Sequence, residues 1–524
     1  MNFLTKRLLR VNTLLKTSKR SMAFKAPIVK RTPMFRRFPV KSAISMLTLT
    51  SFWMSQRYAT AEEKYCLVEI ENVENLADGE MMALKVGEAD NDKVLVVRYK
   101  GKIFSVGNFC THFGVPLASS VLFDDKVICP AHNAAFSIID GLPEYAPAKD
   151  ALPTFEVVEE NGKHYVKLPQ NWKEKRTVYM TKRDPENTQK FVIVGGGPAG
   201  LSAAETLRQS DFTGEIIVLS ADDKLAYDRT LLSKALSGDA NKFILRSKDF
   251  LDTYDIDFRL NSLVKRIDAA ANEVVLSDNT KVSYDKLLIA TGGTARKPIV
   301  PGIDLKGVHT LRSAHNQEEI KQSIGKDKKV VIIGGSFIGF ECAACLVSTF
   351  KNEIDVKVVD MNSTPFELSL GKDVGKVMQK LAEENGVQFL LQKSMKKLIG
   401  KDGEVTGVEL SDGTVLDADV VILGTGIQPT TQCVQEGVEL ERDGSIRVDP
   451  FLKTSADNIY AAGDVASYPY WVTGKRARVE HWNHATQQGE VAAFNMLGKQ
   501  IPYDNIPFFW TRNYMKTLQY AGYC

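Results

Sequence analysis

Acidic residues are missing from the first 61 positions, which hold 13 of the 67 Lys and Arg. The net charge of +3 therefore averages two regions, since residues 62–524 carry 54 basic groups against 64 acidic ones. That balance excludes a basic footprint for nucleic acid. Cysteine is scarce as well. Seven, an odd and scattered set in 524 residues, exclude a secreted disulfide framework. The leader's apolar run, residues 43–55, is 13 long with five Ser or Thr. It falls short of the ~20 that span a bilayer. What the leader does have is Leu4, Leu8, Val11 and Leu15 at helical spacing, with Lys6, Arg7 and Arg10 on other faces. This basic amphipathic pattern predicts a mitochondrial transit peptide over 1–61, a disordered basic tail being the alternative. It fits peripheral association with the inner membrane, and does not separate matrix from intermembrane space.

Two cysteines stand apart from the rest. Cys110-Thr-His112 is followed by Cys129-Pro-Ala-His132, amid short alternating stretches at 94–98, 102–106, 126–129 and 164–168. Two thiolates and two imidazoles on neighbouring loops of a β-scaffold suit a two-iron cluster, thiolates on one iron and neutral imidazoles on the other. Structural zinc is the competing reading, but zinc fingers use C-x₂₋₄-C followed by H-x₃₋₅-H. The segment 62–170 resembles a Rieske [2Fe-2S] domain, which implies Cys110, His112, Cys129 and His132 as ligands. Asn133 stands where that family often has Gly. High-potential members add a disulfide and hydroxyl donors to the cluster sulfurs. The matching positions here are Val115, Ala131, Ala134 and Phe136, so a low-potential, ferredoxin-like cluster is expected.

Residues 171–189 are charged and aperiodic, and read as a linker. A buried-strand run then leads into Gly195-Gly-Gly197-Pro-Ala199-Gly200 and a helical stretch. Strand, G-x-G-x-x-G and helix form the dinucleotide fingerprint, with Asp222 placed to accept from a ribose hydroxyl. The pattern repeats at Gly334-Gly-Ser336-Phe337-Ile338-Gly339, with Asp360 at the end of the next strand. Asp360 repels a 2′-phosphate, and Met361 and Asn362 supply no cation, so NADH is favoured over NADPH.

Strands ending at Ala290-Thr291-Gly292, at Gly426 and at Gly463-Asp464 complete a resemblance to the glutathione-reductase-like flavoproteins. The fold class expected is multidomain: an all-β Rieske domain, then α/β two-dinucleotide-binding domains for FAD (190–312 and 445–505) and NAD (313–444). Tyr227-Asp-Arg229-Thr-Leu-Leu-Ser-Lys234 is similar to a segment of ferredoxin reductases and apoptosis-inducing factors, and the whole chain resembles the Rieske-bearing branch of the latter. The resemblance implies that Arg229, Lys234, Arg312, Gly426, Asp464, Glu480, His481 and Trp510 serve the cofactors. It also implies a Lys234–Glu341 ion pair beside the flavin. Members of that family continue past residues 518–523 into a further αβ domain, so 506–524 is expected to be its truncated start.

Cys342 and Cys345 lie on the helix after Gly339 and read as packing residues; no cysteine occurs in 223–240, where disulfide reductases of this superfamily carry theirs. His164, His309, His315 and His484 carry no motif context. The expected activity is NADH-dependent: FAD reduction, then single-electron transfer through the Rieske cluster to an outside one-electron acceptor. No nucleic-acid partner is expected, and the oligomeric state stays open. The rivals are a quinone or small-molecule reductase that bypasses the cluster, and a redox-controlled mitochondrial scaffold or apoptosis-related signalling protein.

Overall fold

A computed structural model describes residues 65–523 except Asn352 and Glu436. The transit peptide and the apolar run of the leader lie outside the described residues. Among the described residues no helix is long and apolar enough to cross a membrane.

The chain first builds a six-stranded antiparallel sheet in the order Tyr65–Glu69, Lys163–Pro169, Thr154–Glu160, Lys102–Gly107, Lys93–Tyr99, Met81–Lys85. Alternation decides its two faces. In Lys93–Tyr99, Leu95 and Val97 enter one core and Val94 and Val96 the other, the period of two that a pleated strand imposes. Against the first core stands a four-stranded meander, Val121–Phe123, Lys126–Ile128, Ala135–Ser137 and Pro143–Tyr145. The four short stretches read from the sequence all lie on strands, each within a residue or so of the observed ends.

Two parallel five-stranded sheets follow. The first runs Ile256–Arg259, Glu215–Leu219, Lys190–Val194, Lys286–Ile289, Ile459–Ala461. The second runs Val308–Thr310, Val420–Leu423, Lys329–Ile333, Asp355–Asp360, Val387–Leu391. Their central strands Lys190–Val194, Lys329–Ile333 and Val420–Leu423 are near-continuous Val/Ile/Leu runs, as strands covered on both faces must be. Where the chain crosses out to the second fold and back, Gly293–Ala295 and Ile427–Pro429 pair antiparallel.

The expected domain limits shift at both ends of this excursion. Val308–Thr310 pairs with Val420–Leu423, so the second fold starts before residue 313. Cys433 and Val438 are buried in the core of the first fold, so the return is complete before residue 445. These limits sit in short strands and turns that carry no periodic signal. The linker has no regular element, yet it is pinned along its length. Arg176 bridges to Ala151, and the N–H groups of Thr181 and Asp184 donate to Arg208 and Thr213. Residues 508–521 form a hairpin, Phe508–Asn513 with Lys516–Ala521.

Candidate functional site: two nucleotide cradles and a four-ligand loop pair

Each fingerprint is built around a steric requirement. A Cβ on Gly195 would meet the carbonyl oxygen of Ala290 at 2.2 Å, and one on Gly334 that of Gly424 at 2.4 Å. On Gly200 and Gly339 it would fall 2.0 and 1.9 Å from the carbonyl oxygens of Gly195 and Gly334. These glycines let the helices Pro198–Gln209 and Phe337–Phe350 seat against their strands. Gly197 is different. A Cβ there meets nothing within 4 Å, because it faces the cavity into which the N–H groups of the helix start point. Ser336 takes that place in the second cradle, and its hydroxyl makes no capping bond to its own helix.

A cavity of about 1360 Å³ joins the two cradles. It exceeds the ~300–1,000 Å³ of an ordinary small-molecule site, as a home for two dinucleotides should. It is lined by Gly195, Gly197, Ala199, Asp222, Arg229 and Lys234 from the first fold and by Arg312 just past the crossing to the second. Ser336, Phe337, Ile338, Glu341 and Gly426 come from the second, and Asp464, Glu480, His481 and Trp510 from the return. Gly200, Gly334, Gly339 and Asp360 lie behind this lining. Asp360 is buried and turned to the backbone, accepting the N–H of Gly335 at 2.5 Å and of Asn362 at 2.7 Å.

Fixed polar contacts hold the cavity wall. Asp222 accepts from Tyr227 at 2.8 Å and Arg229 at 3.2 Å, while Arg229 also donates to the carbonyl of Arg312. Arg312 pairs with Asp464 at 2.9 Å. Lys234 Nζ stands 2.8 Å from Glu341 Oε1, and Glu341 also takes hydrogen bonds from Ser233 and from Thr511 at the hairpin. Burial raises Glu480 and lowers His481 to about 3. His481 is thus neutral, accepting the Asn483 N–H at the start of the helix Trp482–Met496.

The four cluster-ligand candidates converge on two loops as two pairs. The thiols of Cys110 and Cys129 are hydrogen-bonded to each other and almost wholly buried. The two imidazoles meet Nδ1 to Nδ1 at 3.1 Å. The hydrogen bond between the two thiols, with burial adding to it, raises Cys110, and the same bond lowers Cys129 to about 6. Burial likewise lowers His112 to about 4 and His132 to about 3, the neutral form that can ligate. Among the described residues no three His, Cys, Asp or Glu converge as one metal ion would require. A thiolate pair and an imidazole pair fit a binuclear cluster better than one tetrahedral zinc. Asn133 occupies the left-handed region (φ 62°), and its N–H closes the loop on the Cys129 carbonyl. Asparagine tolerates that region best after glycine, so the loop keeps its turn.

The two sites touch. The Trp510 indole, which lines the cavity, lies 4.2 Å from the His132 ring between centroids and 5.2 Å from that of His481. Gln519 on the same hairpin donates to the carbonyls of Pro130 and Ala131, both at 3.0 Å. Sequence reasoning placed Trp510 among the residues that serve the cofactors and missed its contact with His132; it missed Gln519 altogether, a lone polar residue without motif. It also set aside His315, which lines the cavity. Cys342 and Cys345 behave as packing residues, both thiols raised by burial.

Residues 189–489 match the family Pyridine nucleotide-disulphide oxidoreductase, and residues 65–156 match the Rieske [2Fe-2S] domain. The chain is 34% identical over 461 residues to human apoptosis-inducing factor 3, covering 86% of this chain and 75% of that protein. It is 34% identical to rhodocoxin reductase of Rhodococcus erythropolis, covering 63% of this chain and 78% of the relative. A solved ferredoxin reductase from Rhodopseudomonas palustris superposes with a TM-score of 0.60 at 29% identity, covering 63% of this chain and 82% of the other.

Proposed function

The chain belongs to the pyridine nucleotide-disulphide oxidoreductase family, in the Rieske-bearing branch with the apoptosis-inducing factor 3 proteins, and from that premise we propose that it moves electrons from NADH through its own cluster to a one-electron acceptor. It is an NAD(P)H-dependent flavoprotein oxidoreductase whose cofactors are FAD, NADH and a [2Fe-2S] cluster. FAD supplies the conversion of a hydride into single electrons, and the cluster supplies a one-electron carrier.

The protein's part is to hold and align. The first cradle, with Asp222, Arg229, Arg312 and Asp464, serves FAD. The second, with Ser336 and Asp360, serves NADH. Lys234, held by Glu341, presents a fixed ammonium to the cavity. Hydride transfer needs positioning and exclusion of water more than an acid or base, and no proton-transfer residue is assigned. Cys110 and Cys129 serve one iron, His112 and His132 the other. The observation that carries the cluster route is the Trp510–His132 contact, which leaves one side chain between the cavity and a cluster ligand. The acid-free leader supports a mitochondrial setting.

Low-temperature EPR of the anaerobic holoprotein tests this reading, with NADH and with dithionite as reductants. A Rieske signal with NADH, lost in His132→Ala while NADH still bleaches the flavin, is the expected result. A signal with dithionite alone refutes the cluster route and leaves a flavin reductase. No signal with either reductant refutes the cluster itself.

A further inference from the structure

The β-module is tied to the flavoprotein by a charge network with little exposure to water. Arg246 donates Nε and Nη2 to the two carboxylate oxygens of Glu205 at 3.1 and 3.2 Å. Its Nη1 lies 2.7 Å from Asp150 Oδ1. Glu205 stands mid-way along Pro198–Gln209, the helix whose start faces the FAD cavity, and its side chain is only 4% exposed. Lys149 approaches the same carboxylate at 3.9 Å, with Glu490 of the helix Trp482–Met496 facing it.

Asp150 continues the connection. Its carbonyl accepts the Thr111 hydroxyl at 2.6 Å, and Thr111 stands between Cys110 and His112. The Thr111 carbonyl in turn accepts Lys175 Nζ from the linker at 2.8 Å. An unbroken set of contacts thus runs from the FAD-side helix through Glu205, Arg246, Asp150 and Thr111 to the loop that carries two of the four ligands. The guanidinium forks its directional N–H bonds onto Glu205 and stands in close ion-pair contact with Asp150, which fixes the register of the two modules.

We propose that Arg246 is a positioning residue that sets the Cys110–His112 loop against the flavin-side helix and so governs the rate of the flavin-to-cluster step. This rests on the function proposed above. For each NADH, two single electrons cross the contact, one proton is released to solvent, and an outside one-electron acceptor is reduced twice.

The test is anaerobic stopped-flow mixing of NADH with the holoprotein and with Arg246→Lys, which keeps the charge but cannot reach all three oxygens. Flavin bleaching is expected to stay within about twofold of wild type while cluster reduction slows roughly tenfold or more, the scale of a sub-ångström to 1 Å misplacement. The EPR signature of dithionite-reduced cluster should not change. Hydrogen exchange over residues 110–117 should quicken, a readout independent of turnover. Asp150→Asn, isosteric and still offering its carbonyl to Thr111, repeats the test if Arg246→Lys does not fold. Wild-type cluster reduction and unchanged exchange in the variants overturn the proposal. So does a parallel slowing of both steps, which marks general damage. If NADH fails to reduce the wild-type cluster, the function reading fails instead, and the exchange measurement still decides whether Arg246 orders the loop.

Discussion

Replacing Glu341 by Gln removes one charge from the wall of the cavity and keeps the shape. Glu341 is 5% exposed and bonds Lys234, Ser233 and Thr511 together. Breaking a buried ion pair by removing one partner costs about 3–5 kcal/mol, since the other charge is left behind. Lys234 retains the Thr230 carbonyl at 3.0 Å and some water, which puts the cost at the lower end, about 3 kcal/mol. At about 2–4 °C per kcal/mol for domains of this size, melting of the flavoprotein should drop by roughly 6–12 °C. Thr511→Val removes one hydrogen bond to a carboxylate that keeps two other partners, so about 1.5 kcal/mol is expected. The double variant should fall short of the sum, because both changes act on one network. Calorimetry of the four proteins gives the melts, and anaerobic NADH mixing gives the flavin bleaching rate, expected to fall in Glu341→Gln as the ammonium loses its anchor. A Glu341→Gln protein that melts like wild type and bleaches at the same rate would refute the assignment of this pair to the working site.

The flavoprotein should respond to pH through Glu490, which burial, opposed by Lys149 and aided by Glu144, pushes up to about 7. The folded state then binds a proton that the unfolded chain has lost, so stability falls as pH rises from about 4.5 to 7, by about 1.4 kcal/mol per pH unit at most. Urea midpoints of wild type minus Glu490→Gln against pH should show that slope; a flat difference counts against it. Asp360→Ala should raise the KM for NADH and narrow the preference over NADPH, measured as kcat/KM for each. An unchanged ratio would remove Asp360 from nucleotide selection.

The fingerprints and the four ligands were legible because each is a local pattern whose chemistry demands its spacing. Gly200 and Gly339 could be read as packing glycines since strand, turn and helix are contiguous in the chain. The edge strands Tyr65–Glu69 and Met81–Lys85 were not, because partly exposed edges carry little alternation. The limits of the second fold were missed for a related reason: Val308–Thr310 is three residues of no periodicity and gains its identity only by pairing with Val420–Leu423. The contacts that join the modules were the least visible. Gln519 meets Pro130 across 389 residues, Trp510 meets His132 across a similar span, and Arg246 reaches both Asp150 and Glu205. No local rule marks such residues, because their partners are chosen by the assembled surface.

The pairing of Lys286–Ile289 with Ile459–Ala461 also dictates an order of assembly. During synthesis the β-module is complete once residue 169 has emerged, and the second nucleotide fold once residue 423 has. The first fold must wait longer, for its fifth strand and for the helix Trp482–Met496, where Gly489 seats against Ala199. Domains fold as units as the chain appears, and contacts distant in sequence form last. The module that carries the four cluster-ligand candidates is therefore complete in the emerging chain before the first nucleotide cradle has all its parts.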